Sequence, residues 1–237
     1  MTPGESRVSA DRIRWLQARL LDHYGSQHWW PGDSAFEVLA GTILVQRTRW
    51  RNAELALTNL RQAGLLTPDA VAAHPVEQVE NLIRPAGFYR QKARRLRSVS
   101  QWVTGNRGIE QLRSRRTGEL RQQLLAMDGI GPETADCILL YVFHRPVFVA
   151  DAYARRLFHR LGWQHGSARD DYDALAGTVQ DAVNEDAEFF NEFHALIVAH
   201  GKSVCGKSPR CRRCVLRVMC SSADPGPDAT GHPGSGH

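Results

Sequence analysis

Apolar residues recur along the chain at the three- and four-residue spacing of amphipathic α-helices, and no segment predicts a β-hairpin. The clearest pattern follows Ser34, which forms a capping box with Glu37 and precedes apolar residues at positions 36, 39, 40, 43 and 44. Similar patterns predict further helices. One is a charged amphipathic helix within the first 25 residues, one begins near Thr48, one runs from 76 to 83 before Pro85, and others cover 93–103, 120–127, 132–142, 157–161 and 189–200. The chain is therefore predicted to be all-α.

The segment "MDGIGPETADCILLYV" (127–142) has the residues of a tight corner between two helices. Gly129 and Gly131 can adopt backbone angles closed to other residues, and Ile130 between them is expected to anchor the turn in the core. Pro132 suits the first helical position, where its missing N–H costs nothing. Free N–H groups at this helix start would form an anion site suited to a DNA phosphate. An ordinary helical corner has the same spacing, so spacing alone leaves both interpretations open.

Four of the five cysteines lie close together near the C-terminus, at Cys205, Cys211, Cys214 and Cys220. No export signal precedes them, which favours metal binding over disulfides. Four thiolates suit either a tetrahedral zinc ion or a [4Fe–4S] cluster. The spacing alone slightly favours zinc, because structural zinc is the commoner use of such a set.

Charge and length narrow the range of functions further. The 237 residues leave room for one large domain or two small ones, and 30 basic against 25 acidic residues give a net charge of +5. Six of the basic residues and no acidic ones fall between Lys202 and Arg217, which suits a polyanionic partner. No apolar run approaches the roughly 18 residues of a membrane span. We expect a cytoplasmic protein, associated with the nucleoid if it is bacterial, that acts as a monomer.

Four motifs, which follow one another between about residues 29 and 220, resemble those of the endonuclease III superfamily of DNA glycosylases. "LLAMDGIGPETADCILLY" resembles its helix-hairpin-helix, and "RPVFVADAYARRLFHRLG" resembles the apolar run and aspartate that follow. "ILVQRT" resembles the segment whose glutamine enters the gap left by an extruded nucleotide. "HGKSVCGKSPRCRRCVLRVMC" resembles the iron–sulfur loop, although this chain has five residues in the first gap where the family has six.

The resemblance implies two helical domains with a DNA-binding cleft between them. A six-helix domain with the helix-hairpin-helix would span 34–144, an iron–sulfur domain would comprise 1–33 and 145–220, and the Gly/Pro/Ser-rich tail 221–237 would be disordered. Double-stranded DNA with a damaged base would be the partner and a [4Fe–4S] cluster the cofactor, with zinc as the alternative. The residues implied in DNA binding are Gln46, Gly129, Ile130, Gly131, Glu133, Thr134 and Arg210.

Asp151 is the implied catalytic residue. Breaking an N-glycosidic bond develops positive charge on the sugar, and a fixed carboxylate can stabilise that charge and orient or deprotonate the attacking water. An aspartate before a helix is also an ordinary N-cap worth about 1 kcal/mol. The two roles are compatible, because capping holds the carboxylate rigid and ionised.

Bifunctional family members carry a lysine 18 residues before the aspartate, and that position is Glu133 in this chain. A carboxylate cannot form a Schiff base, so we predict a monofunctional glycosylase without appreciable lyase activity. "HWWPGDSAFEVLAGTILVQRTRW" and "RPAGFYRQKARRL" resemble a subgroup that includes 3-methyladenine glycosylases. Trp29 and Trp30 would then stack on a flipped, positively charged alkylpurine. The alternatives are a glycosylase for oxidised or deaminated pyrimidines or for mismatches, with weak lyase activity, and a non-catalytic iron–sulfur DNA-binding protein.

Overall fold

The computed structural model describes residues 8–163 and 172–223, and every regular element within these ranges is helical, which confirms the all-α prediction. The α-helices are α1 (Ala10–Tyr24), α2 (Ala35–Leu44), α3 (Trp50–Gln62), α4 (Pro68–Ala73), α5 (Val76–Leu82), α6 (Tyr89–Gly105), α7 (Ile109–Arg113), α8 (Thr117–Leu125), α9 (Pro132–Tyr141), α10 (Ala152–Leu161), α11 (Tyr172–Ala182) and α12 (Ala187–Ser203). Short 3₁₀ turns lie between α5 and α6, at Arg84–Ala86, and after α12, at Cys211–Arg213 and Arg217–Met219. No helix in the described part of the chain is both long and apolar enough to cross a membrane.

The described residues form two compact units. The central unit comprises 28–149 and 185–191, and the terminal unit comprises 8–27, 150–163, 172–184 and 192–223. The predicted domains, 34–144 and 1–33 with 145–220, stay a prediction, because compactness alone does not show which segments fold independently. Most of the tail predicted to be disordered, from residue 224 onward, lies outside the described residues.

Helix α2 is the buried axis of the central unit. Every residue from Phe36 to Leu44 is buried, and α2 contacts α3, α6 and α9. The Ser34 hydroxyl accepts a hydrogen bond from the Glu37 backbone N–H (3.2 Å), as the capping box predicts. The Glu37 carboxylate accepts from the Asp33 N–H (3.2 Å) and pairs with Arg61, which compensates its burial. This anchoring fixes the N-terminal end of α2, the helix whose other end leads to Gln46.

The short helices α4 and α7 and the longer α11 are additions to the predicted set. Helix α4 has a start signal in Thr67 and Pro68, and the Thr67 hydroxyl accepts from the Ala70 N–H (3.2 Å). With six and five residues, α4 and α7 are too short to display a helical period. Pro85 was expected to end a helix at residue 83; α5 ends at Leu82, and Pro85 lies inside the 3₁₀ turn that follows.

Candidate functional site

The predicted hairpin is present, and its turn depends on one glycine. Helices α8 and α9 contact each other, and Gly129 between them adopts a left-handed φ of +74°. A Cβ at Gly129 would lie 1.7 Å from Nε of Arg95, so a side chain there would displace Arg95 as well as strain the backbone. Gly131, in contrast, has an ordinary φ of −89°, so of the two glycines Gly129 is the one that uses the angles open to both. Ile130 is buried at 4% exposure and anchors the turn as predicted.

The start of α9 has the properties of an anion site. Pro132 is the first helical residue, Gly131 is the N-cap, and no described side chain caps this helix end. The N–H groups at the helix start therefore face outward, where the positive end of the helix dipole favours an anion such as a phosphate. Glu133 is exposed in this first turn.

An ion pair holds the two hairpin helices together. Nε and Nη2 of Arg121 on α8 donate to the two oxygens of Asp136 on α9 at 2.8 and 3.2 Å. The Asp136 side chain is 3% exposed and that of Arg121 30%, so one partner is buried and the other half-open to water. A bidentate pair of this kind is stronger than a surface salt bridge. It sets the angle at which the turn is presented.

Gln46 lies against the hairpin, and its side-chain amide is fully engaged there. Its Nε2 donates to the Gly129 carbonyl (3.3 Å) and to the Thr134 hydroxyl (3.0 Å), while its Oε1 accepts from Nη1 of Arg95 (2.8 Å). These residues line one open cavity of about 350 Å³. Its lining consists of Gln46, Arg47, Phe88, Gln91, Lys92, Arg95, Gly129, Glu133 and Thr134. The structure thus places Gln46 in the same cavity as three residues of the hairpin motif, Gly129, Glu133 and Thr134. All four are predicted to contact DNA.

Lys92 in the same cavity has a buried ammonium group that joins two turns. Its Nζ donates to the carbonyl of Leu44, at the end of α2, and to that of Ala86, each at 2.8 Å. Burial, and secondarily the charge of Arg95, lower the pKa of Lys92 to about 8. The two carbonyls precede Gln46 and Phe88 by two residues each. Lys92 therefore fixes the backbone from which both side chains leave.

Phe88 is a functional candidate that sequence reasoning missed. Its side chain is 59% exposed, and its backbone adopts left-handed angles (φ 47°, ψ 31°) just before α6 begins. A large apolar residue in this conformation is strained, and strain of this kind concentrates at functional positions. No pattern in the sequence signals it, because phenylalanine is rare in left-handed turns.

Trp29 and Trp30, predicted to line a base pocket, are both half-exposed. The Trp30 ring lies 5.3 Å from the rings of Trp50 and Tyr141, measured between centroids. It also packs so closely on Gly41 that a Cβ there would lie 3.2 Å from the indole Nε1. Trp29 and Trp30 have centroids 5.9 Å apart in a tilted arrangement. The pair belongs to an aromatic cluster in the central unit.

Asp151 caps α10 as predicted. Its Oδ1 accepts from the backbone N–H groups of Tyr153 (2.9 Å) and Ala154 (2.8 Å). Its Oδ2 faces Nε2 of His194 on α12 at 3.5 Å. Burial raises the pKa of Asp151, but His194 and the two N–H groups together outweigh burial and hold the pKa below its ordinary value. The carboxylate therefore stays ionised at neutral pH.

The four clustered cysteines line one cavity in the terminal unit, together with Arg160. Nη1 of Arg160 donates to Sγ of Cys205 (3.2 Å) and to the Gly206 carbonyl (2.7 Å), and Nε of Arg156 donates to the Cys205 carbonyl (2.9 Å). Helix α10, which Asp151 caps, thus holds the start of the cysteine loop. Arg210 is exposed on the same loop.

Comparisons with known proteins agree with this geometry. The family model described as "HhH-GPD superfamily base excision DNA repair protein" matches residues 40–182. The chain belongs to this superfamily of DNA repair glycosylases, as its endonuclease III-like motifs predict.

Three relatives illustrate the match. The chain is 40% identical over 206 residues to MJ1434 of Methanocaldococcus jannaschii, a candidate DNA repair glycosylase. The aligned region covers 86% of this chain and 93% of the relative. It is 30% identical over 196 residues to endonuclease III of Sulfolobus acidocaldarius, with 79% and 82% covered. The structure of the 3-methyladenine DNA glycosylase of H. pylori bound to 1,N6-ethenoadenine matches with a TM-score of 0.69 at 26% identity, covering 82% of this chain and 98% of that one.

Proposed function

We propose that this protein is a monofunctional DNA glycosylase that hydrolyses the N-glycosidic bond of a flipped base, with Asp151 as its catalytic residue. Two features of the chain carry the proposal together. Asp151 is ionised and rigidly held, and the position of the lyase lysine is occupied by a carboxylate, Glu133. Asp151 would stabilise the positive charge that develops on the sugar, and water would attack because no amine stands at position 133.

DNA would be held by the surface that surrounds the hairpin turn. The uncapped start of α9 and the glycine turn offer N–H groups to one phosphate without reading sequence. Gln46 and the exposed Phe88 lie beside this turn and line the same cavity, so we propose that both enter the duplex at the extruded nucleotide. Arg210, on the basic cysteine loop, would bind the backbone elsewhere.

We propose alkylated purines such as 3-methyladenine as the substrates. An electron-poor, positively charged base is attracted to aromatic faces, and the cluster around Trp30 offers such faces. The likeness to the H. pylori 3-methyladenine glycosylase supports this choice. The relatives named endonuclease III support the second candidate, excision of damaged pyrimidines or mismatched bases.

We also propose that the four cysteines hold a [4Fe–4S] cluster rather than zinc. All four thiols line one cavity, as a single four-thiolate site requires. The likeness of the loop to the iron–sulfur loop of the endonuclease III superfamily supports the cluster over zinc. When bound, the cluster would keep the cysteine loop folded. Iron and acid-labile sulfide without zinc are expected on analysis, and a colourless zinc protein would contradict the proposal.

The test of function is excision from duplexes that carry 3-methyladenine, uracil, thymine glycol or a G·T mismatch, each with and without alkali. Strand breaks that appear only after alkali are expected for a monofunctional enzyme, with 3-methyladenine as the best substrate. Asp151→Asn should bind DNA with normal affinity and lose excision, since asparagine keeps the N-cap.

Borohydride trapping tests the role assigned to position 133. Wild type is expected to give no covalent complex with DNA, whereas Glu133→Lys restores an amine at the lyase position and is expected to give one. Robust trapping by wild type would contradict the monofunctional assignment, and no product from any of the four duplexes would favour a non-catalytic DNA-binding protein.

A further inference from the structure

The two oxygens of Asp151 have different surroundings. Oδ1 is occupied by the N–H groups of Tyr153 and Ala154, at 2.9 and 2.8 Å. Oδ2 makes neither of these bonds and instead faces Nε2 of His194 at 3.5 Å. Oδ2 is therefore the oxygen that remains to meet a substrate, and the side chain beside it is a histidine.

The histidine occupies a position where an apolar residue would be expected. His194 lies on the buried face of α12, where Phe193 and Ile197 are fully buried. Its side chain is 6% exposed and that of Asp151 is 13% exposed. An imidazole in such surroundings costs desolvation that leucine would not, and the cost is offset when a ring nitrogen faces an anion.

We infer that His194 is a positioning residue for excision, one that holds Oδ2 of Asp151 in its reactive orientation. The inference rests on the proposed glycosylase function of Asp151. The two N-cap bonds restrain rotation about Cβ–Cγ only from the Oδ1 side, so the carboxylate can still rock within the tolerance of those bonds and displace Oδ2 from the sugar. An Nε2–H on the imidazole limits this rotation. At 3.5 Å the contact is longer than a well-formed hydrogen bond, so it acts chiefly as an electrostatic attraction between the N–H group and the carboxylate.

Binding of a cationic sugar mimic tests the inference without turnover. The probes are two duplexes with one altered nucleotide, in which the sugar is replaced by a positively charged pyrrolidine or by a neutral tetrahydrofuran ring. The ratio of their dissociation constants measures how well the Asp151 carboxylate meets the charge at the anomeric position. A purely structural defect would weaken both duplexes alike and leave the ratio unchanged.

His194→Leu fills the volume without a donor and is expected to reduce the preference for the cationic duplex roughly 10- to 100-fold, the range for loss of a charge-assisted hydrogen bond. The single-turnover excision rate should fall in parallel, with affinity for the neutral duplex within about threefold of wild type. His194→Gln, whose amide nitrogen reaches the position of Nε2, should restore most of the preference, and the shorter His194→Asn should not.

Each result has a defined meaning. An unchanged preference in His194→Leu overturns the inference, as does a His194→Gln variant that is impaired as severely as His194→Asn. Should His194→Leu fail to fold, the Gln–Asn pair decides alone. A wild type that prefers the cationic duplex yet excises no base would reject the proposed function, and the His194→Leu ratio would then report only whether His194 orients the Asp151 carboxylate.

Discussion

Gly129→Ala should destabilise the protein through two separable effects. Alanine at φ +74° costs about 1–2 kcal/mol because its Cβ crowds the backbone in the left-handed region. The new Cβ would also lie 1.7 Å from Nε and 2.2 Å from Cζ of Arg95, so that side chain must move. Its departure breaks the 2.8 Å bond to Gln46, worth roughly 1 kcal/mol at this half-exposed position. We expect a total loss of about 2–3 kcal/mol.

Gly64→Ala is the matched control. Gly64 has nearly the same φ, +69°, and belongs to the same unit, but a Cβ there would meet no atom within 4 Å. It should therefore cost the backbone term alone, about 1–2 kcal/mol. Urea unfolding of both variants, repeated in an Arg95→Ala background, separates the terms. In that background the excess cost of Gly129→Ala over Gly64→Ala should vanish. Equal costs for the two glycine variants, or an excess that persists without Arg95, would refute the reasoning.

Three further predictions concern neighbouring parts of the central unit. Asp136→Ala should lower the free energy of unfolding in urea by about 2–3 kcal/mol, because Arg121 loses a bidentate partner whose carboxylate is 3% exposed. A loss below about 0.5 kcal/mol, the level of a surface substitution, would contradict this. Lys92 has a folded-state pKa of about 8 against an ordinary 10.5, so the unfolded protein binds more protons between these two pH values. The free energy of unfolding of wild type, relative to that of Lys92→Met, should therefore rise from pH 8 to 10.5. A difference that does not change with pH would contradict this. Phe88→Gly should raise stability by roughly 1 kcal/mol by relieving its left-handed strain, yet weaken binding to a duplex with an abasic site. Leu55→Ala, at another exposed apolar residue, should leave that binding unchanged.

Helices with a full cap and several turns could be predicted from the sequence, because both signals are local. Ser34 and Glu37 defined the start of α2, and Pro132 defined that of α9. Helices α4 and α7 escaped prediction because one or two turns contain too few apolar residues to establish a period. Gly131 shows the limit of such local signals, since a glycine beside a turn permits special angles without requiring them.

The residues of the candidate site likewise differ in whether local sequence signals predict them. Gln46 is predicted from one motif and Gly129 and Thr134 from another, and the structure adds that Gln46 donates hydrogen bonds to both. His194 could not have been predicted, because its helix places it among buried apolar neighbours and its partner Asp151 is 43 positions away in the sequence. Contacts of that kind depend on tertiary packing, which hydrophobic periodicity does not encode.

The bonding of Gln46 to the hairpin has a consequence for how the protein finds damage. If Gln46 enters the gap as proposed, it must first give up three hydrogen bonds, at 3.3, 3.0 and 2.8 Å. With each worth roughly 0.5–1.5 kcal/mol, the released side chain is a minor population in the free protein, on the order of 10% or less. On an intact duplex nothing would repay that release, so Gln46 would stay bound to the hairpin. A gap supplies new partners for the amide. Gln46 would then have two states, one bound to the hairpin during the search and one released into the gap. The free energy lost with the three hydrogen bonds would be recovered only where a base has left the stack.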